Sequence, residues 1–330
     1  MLIGKLIIRA APRLLLAACA AASLDAHAAL IGSHEIARPE GPRHYLLATP
    51  AQVAAGRRPL VIVLHGHAAS AGQVFGKSHL NAPMRVWLDI AEREQLLVIA
   101  PNGAKGSDDK RGWNDCRADA PTNPVTDDVG FIGALIDKAV AEYNADPARV
   151  YVMGTSNGGG MVYRLAAEMA PRLAGIAAIA ALWPAKSLCP APRQALPLLI
   201  VHGTADKITP YAGGEVGHFL LHGRGSAIGV GATLDLWRKL ANFPDAPVAS
   251  TFPHLDPSDP TSAQRSLWGD DPRRLQIEFI KIEQGGHTEP SIQRRMQWMY
   301  TALLGPQNGD VEIAEEAWRF FKDKRATIAP

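Results

Sequence analysis

The stretch Arg149-Val150-Tyr151-Val152-Met153-Gly154-Thr155-Ser156-Asn157-Gly158-Gly159-Gly160-Met161-Val162-Tyr163-Arg164-Leu165 limits what this chain can fold into more than any other. Its first part is β-branched and apolar, which predicts a short buried strand. Met161, Leu165 and Met169 then recur every four residues, which predicts one face of a helix. Between them lies Gly154-Thr155-Ser156-Asn157-Gly158, a G-x-S-x-G pattern at a strand-to-helix turn. A serine on so sharp a turn takes a strained backbone, and small neighbours on either side let strand and helix pass each other. The pentapeptide alone is a weak signal. Its context makes Ser156 a candidate nucleophile rather than a member of an ordinary glycine-rich loop.

The rest of the chain repeats the strand-then-helix theme. Leu60-Val61-Ile62-Val63-Leu64 is an unbroken aliphatic run, suited to the centre of a parallel sheet, and ends in His65-Gly66-His67. Pro83 to Gln95 reads as a helix, with the proline at its start. Leu96 to Ala100 is a strand stopped by Pro101-Asn102-Gly103, and Asp127-Asp128 opens a helix through Ile132, Leu135, Ile136 and Ala139. Further strands are expected at Ile176 to Ala180, Leu198 to Gly203 and Ile277 to Ile282, and helices near Ala232 to Leu240, Ile292 to Leu304 and Ile313 to Lys322. Tyr211 to Asp271 shows little other periodicity. Alternating strands and helices predict an α/β fold, a mostly parallel sheet with helices on both faces. No repeat, linker or charge block divides it, so residues 29–330 are expected to form a single catalytic domain.

Ligand sites in such sheets form beyond the carboxyl ends of the strands. Ser156, Asp206 and His287 all fall at such ends, in the order Ser, Asp, His expected of an α/β-hydrolase. An imidazole at His287 would take the serine proton, and Asp206 would fix its tautomer and stabilise its charged form. Taken singly, Asp206 also reads as a turn residue and His287 as a solvated loop histidine; their joint placement favours the catalytic reading. Acyl transfer builds negative charge on the carbonyl oxygen, so two backbone N–H donors are expected, from Asn157 and from His67. His65-x-His67 lacks the further ligands of a metal site, and Gly72 to Ser78 is one residue short of a phosphate-binding loop; neither a metal nor another cofactor is expected.

The N-terminus differs from the remainder. Lys5, Arg9 and Arg13 precede the apolar run Leu14 to Leu24, followed by Ala26-His27-Ala28, which predicts a secretory signal over residues 1–28. The run is too short for a stable membrane span. Leu16-Ala17-Ala18-Cys19 also fits a lipoprotein box, but cleavage there leaves a very short apolar run, so a released protein, secreted or periplasmic, is favoured. Removing the signal takes away a net +2, equal to the formal +2 of the whole chain. A near-neutral remainder gives no reason to expect nucleic acid as a partner. It also leaves Cys116 and Cys189, which an oxidising compartment would join in one disulfide, two free buried thiols being the alternative.

With these residues assembled, the chain resembles the polyhydroxybutyrate depolymerase and feruloyl esterase family of secreted α/β-hydrolases. The resemblance runs from about Arg58 to Phe321. It rests on Leu64-His65-Gly66, Pro101-Asn102-Gly103, Trp113-Asn114 before Cys116, Asp127 to Phe131, Gly154 to Gly159, His202 to Asp206, Gly285-Gly286-His287 and Trp318 to Phe321. It implies that Ser156, Asp206 and His287 form the triad of a serine esterase acting through an acyl-enzyme. The substrate expected is a polyester oligomer or a feruloyl or acetyl ester of plant cell wall. A peptidase of the same fold, or a binding protein that keeps the fold, are the alternatives. Phe75, Trp113, Trp183 and Tyr211 are candidates for an aromatic substrate surface, although packing in the core is the commoner fate of such residues.

Overall fold

A computed structural model describes residues 29–77, 82–217 and 222–327. The expected signal at residues 1–28 lies outside the described residues. In chain order the strands are β1 (Leu30–Ile36), β2 (Arg43–Thr49), β3 (Arg58–Leu64), β4 (Leu97–Pro101), the short ribbon β5 (Ala104–Lys105) and β6 (Arg111–Gly112), β7 (Ala145–Thr155), β8 (Gly175–Ile179) and β9 (Leu198–Gly203). A second ribbon, β10 (Gly213–Glu215) and β11 (Ser226–Ile228), precedes β12 (Val248–Thr251), β13 (Ser262–Trp268) and β14 (Ile277–Glu283). The helices are α1 (Ala71–Val74), α2 (Val86–Glu94), α3 (Asp128–Glu142), α4 (Asn157–Glu168), α5 (Val230–Leu240), α6 (Trp298–Leu304) and α7 (Ile313–Phe321).

Ten strands form one sheet in the order β1-β2-β4-β3-β7-β8-β9-β14-β13-β12. The six from β4 to β14 run parallel, and antiparallel pairs close both edges. Each parallel strand sends alternate side chains to opposite faces, and both faces are covered. On one side Leu60, Ile62, Val150, Val152, Ile176 and Ile200 pack with residues of α3, α4 and α5. On the other, Val61, Val63, Met153, Ala177 and Val201 pack with α2 and α7. Burial on both faces explains the unbroken apolar runs.

Register places the strand ends together. Leu64 pairs with Gly154, Gly154 with Ala178, and Gly203 with Ile282. The loops carrying His65 to His67, Ser156, Asp206 and His287 therefore all leave the sheet at the carboxyl ends of its parallel strands. The Asp127 side chain accepts the Gly130 N–H and caps α3, while Asp128 turns inward to Arg43, 2.7 Å away.

The expected helix over Ile292 to Leu304 is shorter, beginning at Trp298. Side chains claim its first turns: Glu312 accepts the N–H groups of Ile292 and Gln293, and Gln307 accepts that of Met296. Nor is Tyr211 to Asp271 irregular throughout, since β12 and β13 complete one edge of the main sheet.

Candidate active site

Ser156 sits between β7 and α4 with φ 56° and ψ −120°. Its N–H donates to the Ile179 carbonyl at 2.8 Å, and its own carbonyl accepts the Gly160 N–H at 2.9 Å. A β-carbon on Gly154 would collide with the Gly158 carbonyl, and one on Gly158 with the carbonyls of Leu64 and His65. Strand, turn and helix pack too closely for any other residue, which is the steric content of the G-x-S-x-G spacing.

Asp206 follows β9 and is buried. Its Oδ1 accepts the N–H groups of Ile208 and Thr209, each at 2.8 Å, and its Oδ2 lies 2.8 Å from His287 Nδ1. Burial pushes the carboxyl upward, but the His287 charge and these hydrogen bonds outweigh it and hold Asp206 below the usual carboxylate range. An ionised Asp206 assigns the Nδ1 proton to His287 and leaves Nε2 for other work. His202, also buried, stands 3.5 Å from Asp206 Oδ2 and bonds the Thr209 carbonyl at 2.8 Å; burial lowers its pKa. The candidate acid thus has a neutral imidazole on its far side.

Ser156 and His287 line one cavity of about 360 Å³, with His67, Arg117, Arg224 and Glu289 around them. His65 has a structural position. Its Nδ1 donates to the Gly66 carbonyl at 2.7 Å, its Nε2 accepts the Gly103 N–H at 2.9 Å, and burial lowers its pKa to about 4. The His67 ring turns to Asp108, 3.0 Å away, and its pKa is also lowered to about 4, by burial and then by the Arg224 charge. Asn157 is the first residue of α4, where a backbone N–H has no partner within the helix.

The four aromatic candidates lie away from the lining of this cavity. Trp113 is fully buried, donating Nε1–H to the His65 carbonyl at 2.8 Å. Trp183 packs edge-on against Tyr163 and Trp237 in the core, Phe75 is buried, and Tyr211 stands edge-on to His202. None of them is among the residues that line the cavity. Cys116 and Cys189 are joined in a disulfide.

Sequence reasoning missed the support under Ser156. The Asn157 side chain accepts the Trp113 N–H at 2.7 Å, donates to the Trp113 carbonyl at 3.0 Å and donates to Asp115 at 2.8 Å. Asp115 also holds Asn123 and Arg117. Its sequence traces are Gly160, whose β-carbon would meet the Asp115 carboxylate, and Gly112, whose β-carbon would meet the Asn157 side-chain oxygen.

Residues 43–188 match the family model described as Esterase PHB depolymerase. The putative esterase NocK of Nocardia uniformis subsp. tsuyamanensis is 28% identical over 239 residues, 71% of this chain and 66% of that one. Poly(3-hydroxybutyrate) depolymerase of Ralstonia pickettii is 32% identical over 124 residues, 37% of this chain and 25% of its own. The chain thus spans a little under two thirds of the first relative and a quarter of the second. A solved thermostable esterase shares the fold, with a TM-score of 0.51 at 16% identity, covering 89% of this chain and 63% of that one. The fold is that of an α/β-hydrolase, and residues 43–188 are similar to an esterase family. The matched stretch includes the Ser156 turn and Cys116 but ends before Asp206 and His287.

Proposed function

We propose that the chain is a serine carboxylic-ester hydrolase in which Ser156, His287 and Asp206 form the catalytic triad. One observation carries the reading: a serine on a strained strand-to-helix turn shares a cavity with a histidine whose Nδ1 is bonded, at 2.8 Å, to a buried aspartate. In the first step His287 Nε2 takes the Ser156 proton as Oγ attacks the ester carbonyl carbon. The resulting oxyanion is held by the Asn157 N–H, which carries the positive end of the α4 dipole, and by the His67 N–H. Collapse breaks the bond to the alcohol oxygen, which leaves with the proton from His287. Water, deprotonated by the same imidazole, then releases the acid and regenerates the serine.

The class of substrate follows the relatives, esters of hydroxyalkanoate or of plant cell wall. The disulfide and the charged-then-apolar N-terminus support export to an oxidising compartment; N-terminal sequencing of exported protein should begin at Ala29. A fluorophosphonate probe tests the chemistry. The protein is expected to be labelled, and Ser156→Ala to abolish labelling together with hydrolysis of p-nitrophenyl butyrate. Labelling that survives Ser156→Ala would sink the assignment.

A further inference from the structure

Two arginines face the cavity that holds Ser156 and His287, and they are not equivalent. Arg117 Nη2 and Nε lie 2.6 and 3.0 Å from Asp115 Oδ2, so the protein neutralises that charge itself. Arg224 is only 5% exposed and has no carboxylate at ion-pair distance among the described residues. Its Nη1 donates to Thr122 Oγ1 at 2.7 Å, while its Nη2 has no hydrogen-bond partner among them. Asp115 and Asp108 act on it from a distance, Asp115 being ion-paired with Arg117 and Asp108 hydrogen-bonded to His67, and neither is at ion-pair distance from Arg224.

Its position is built rather than incidental. Gly223 and Gly225, on either side, have φ of 74° and 78°, and a β-carbon on Gly225 would meet Asp119 Oδ1. Asp119 in turn binds the Ser226 N–H and hydroxyl, and the Arg224 carbonyl accepts Arg117 Nη1 at 2.5 Å. Burial, then repulsion from Arg117, lower the Arg224 pKa to about 10, which leaves it charged at neutral pH. The other titratable groups of the cavity do not cancel it: His65 and His67 are held neutral, and burial raises Glu289 toward its protonated form. A buried guanidinium without a counter-charge is costly unless a ligand supplies one.

We propose that Arg224 receives a free carboxylate on the substrate, so that the preferred substrate is a monoanionic ester, such as a hydroxy-acid oligomer with its terminal carboxylate intact. The inference rests on the esterase reading and narrows it. Guanidinium and carboxylate match in planar, charge-assisted hydrogen bonds. A chain of esterified hydroxy acids ends in a carboxylate, and each cleavage creates another. Recognition of that group makes the enzyme act from chain ends rather than in the polymer interior.

The test compares each anionic ester with a neutral partner. The 3-hydroxybutyrate dimer as free acid is set beside its methyl ester, with the carboxylate on the alcohol side. Mono-p-nitrophenyl glutarate is set beside p-nitrophenyl butyrate, with the carboxylate on the acyl side. The ratio of kcat/KM, anionic over neutral, is taken within each protein, so losses common to both substrates cancel. The ratio is expected to exceed one in at least one pair, and to fall by about 10- to 100-fold in Arg224→Gln, the range for a hydrogen bond to a charged group. Ratios at or below one in both pairs, or a ratio that Arg224→Gln leaves unmoved, overturn the proposal. Should that variant not fold, the native enzyme decides: 3-hydroxybutyrate must inhibit p-nitrophenyl butyrate hydrolysis at lower concentration than methyl 3-hydroxybutyrate, and equal inhibition overturns it. Failure of the esterase reading looks different, since then neither member of either pair is hydrolysed and the inference goes with it.

Discussion

At Ser156 the backbone adopts φ 56° and ψ −120°, which glycine reaches freely and other residues rarely. Such a conformation stores on the order of 1–3 kcal/mol. Two variants isolate that strain, because Ser156→Ala keeps the β-carbon and Ser156→Gly removes it. After the greater unfolded-state entropy of glycine is subtracted, Ser156→Gly is expected to be more stable by about 1 kcal/mol. Urea denaturation of the pair supplies the difference, and an alanine variant equal or superior in stability after the same correction would show that the turn is unstrained. A second residue bears on pH. Glu289 accepts the Thr155 hydroxyl at 2.6 Å, and burial raises its carboxyl, against the pull of that hydrogen bond and of His287. The folded state therefore keeps this proton to higher pH than the unfolded chain does. The contribution to stability is full below the ordinary glutamate pKa and is lost as pH rises through the raised value. Glu289→Gln cannot titrate, so on going from about pH 4 to pH 7 its unfolding free energy should fall less, or rise more, than that of the native protein. Parallel pH profiles from denaturant melts would reject this.

Among the elements, legibility followed burial. β3, β4, β8, β9 and the Val150 to Met153 part of β7 are apolar on both faces and appear in the sequence as apolar runs, while β14 alternates Ile277, Phe279, Ile280 and Ile282 with charged residues yet is buried over most of its length. The antiparallel edges carry no such mark: Leu30–Ile36 is only partly covered, and Val248–Thr251 is exposed along its whole length. They are strands because a neighbour offers hydrogen bonds, which local composition does not record. The opposite error arose at Ile292 to Leu304. There the apolar spacing suits a helix, yet Glu312 and Gln307, distant in sequence, satisfy the backbone donors that a first turn would leave free. The site divides in the same way. Ser156, Asp206 and His287 were legible because strand ends carry them in a meaningful order. Arg224 was not, since its pairing state depends on Asp115 and Thr122, more than a hundred positions away. An unpaired charge cannot be read from a sequence in which every charge has some opposite within reach.

Over the whole molecule, the main sheet leaves out the loops that carry Trp113 to Asn123 and Trp183 to Cys189, and Arg117 of the first lines the cavity. Their connection is double. Cys116 is bonded to Cys189, 73 positions away, and a short antiparallel contact adds Leu188 N–H to the Cys116 carbonyl at 2.8 Å and Ala118 N–H to the Lys186 carbonyl at 2.9 Å. The covalent link acts chiefly on the unfolded chain, and closing a loop of this length is worth about 4 kcal/mol on the chain-entropy account. The hydrogen bonds act on the folded state and persist after reduction. Reduction is therefore expected to lower the urea midpoint without unfolding the protein in buffer. The Cys116→Ser, Cys189→Ser double variant should show the same lower midpoint whether or not reductant is present. Intact mass of the native protein should rise by about two hydrogens on reduction, which ties the shift to this bond. If native protein gave coincident midpoints with and without reductant while the mass changed, the disulfide would contribute nothing to stability. Arg117 lies next to Cys116 and holds the Arg224 carbonyl, so the reduced enzyme should also lose part of its preference for anionic over neutral esters. A loss equal for both members of each pair would confine the role of the link to stability.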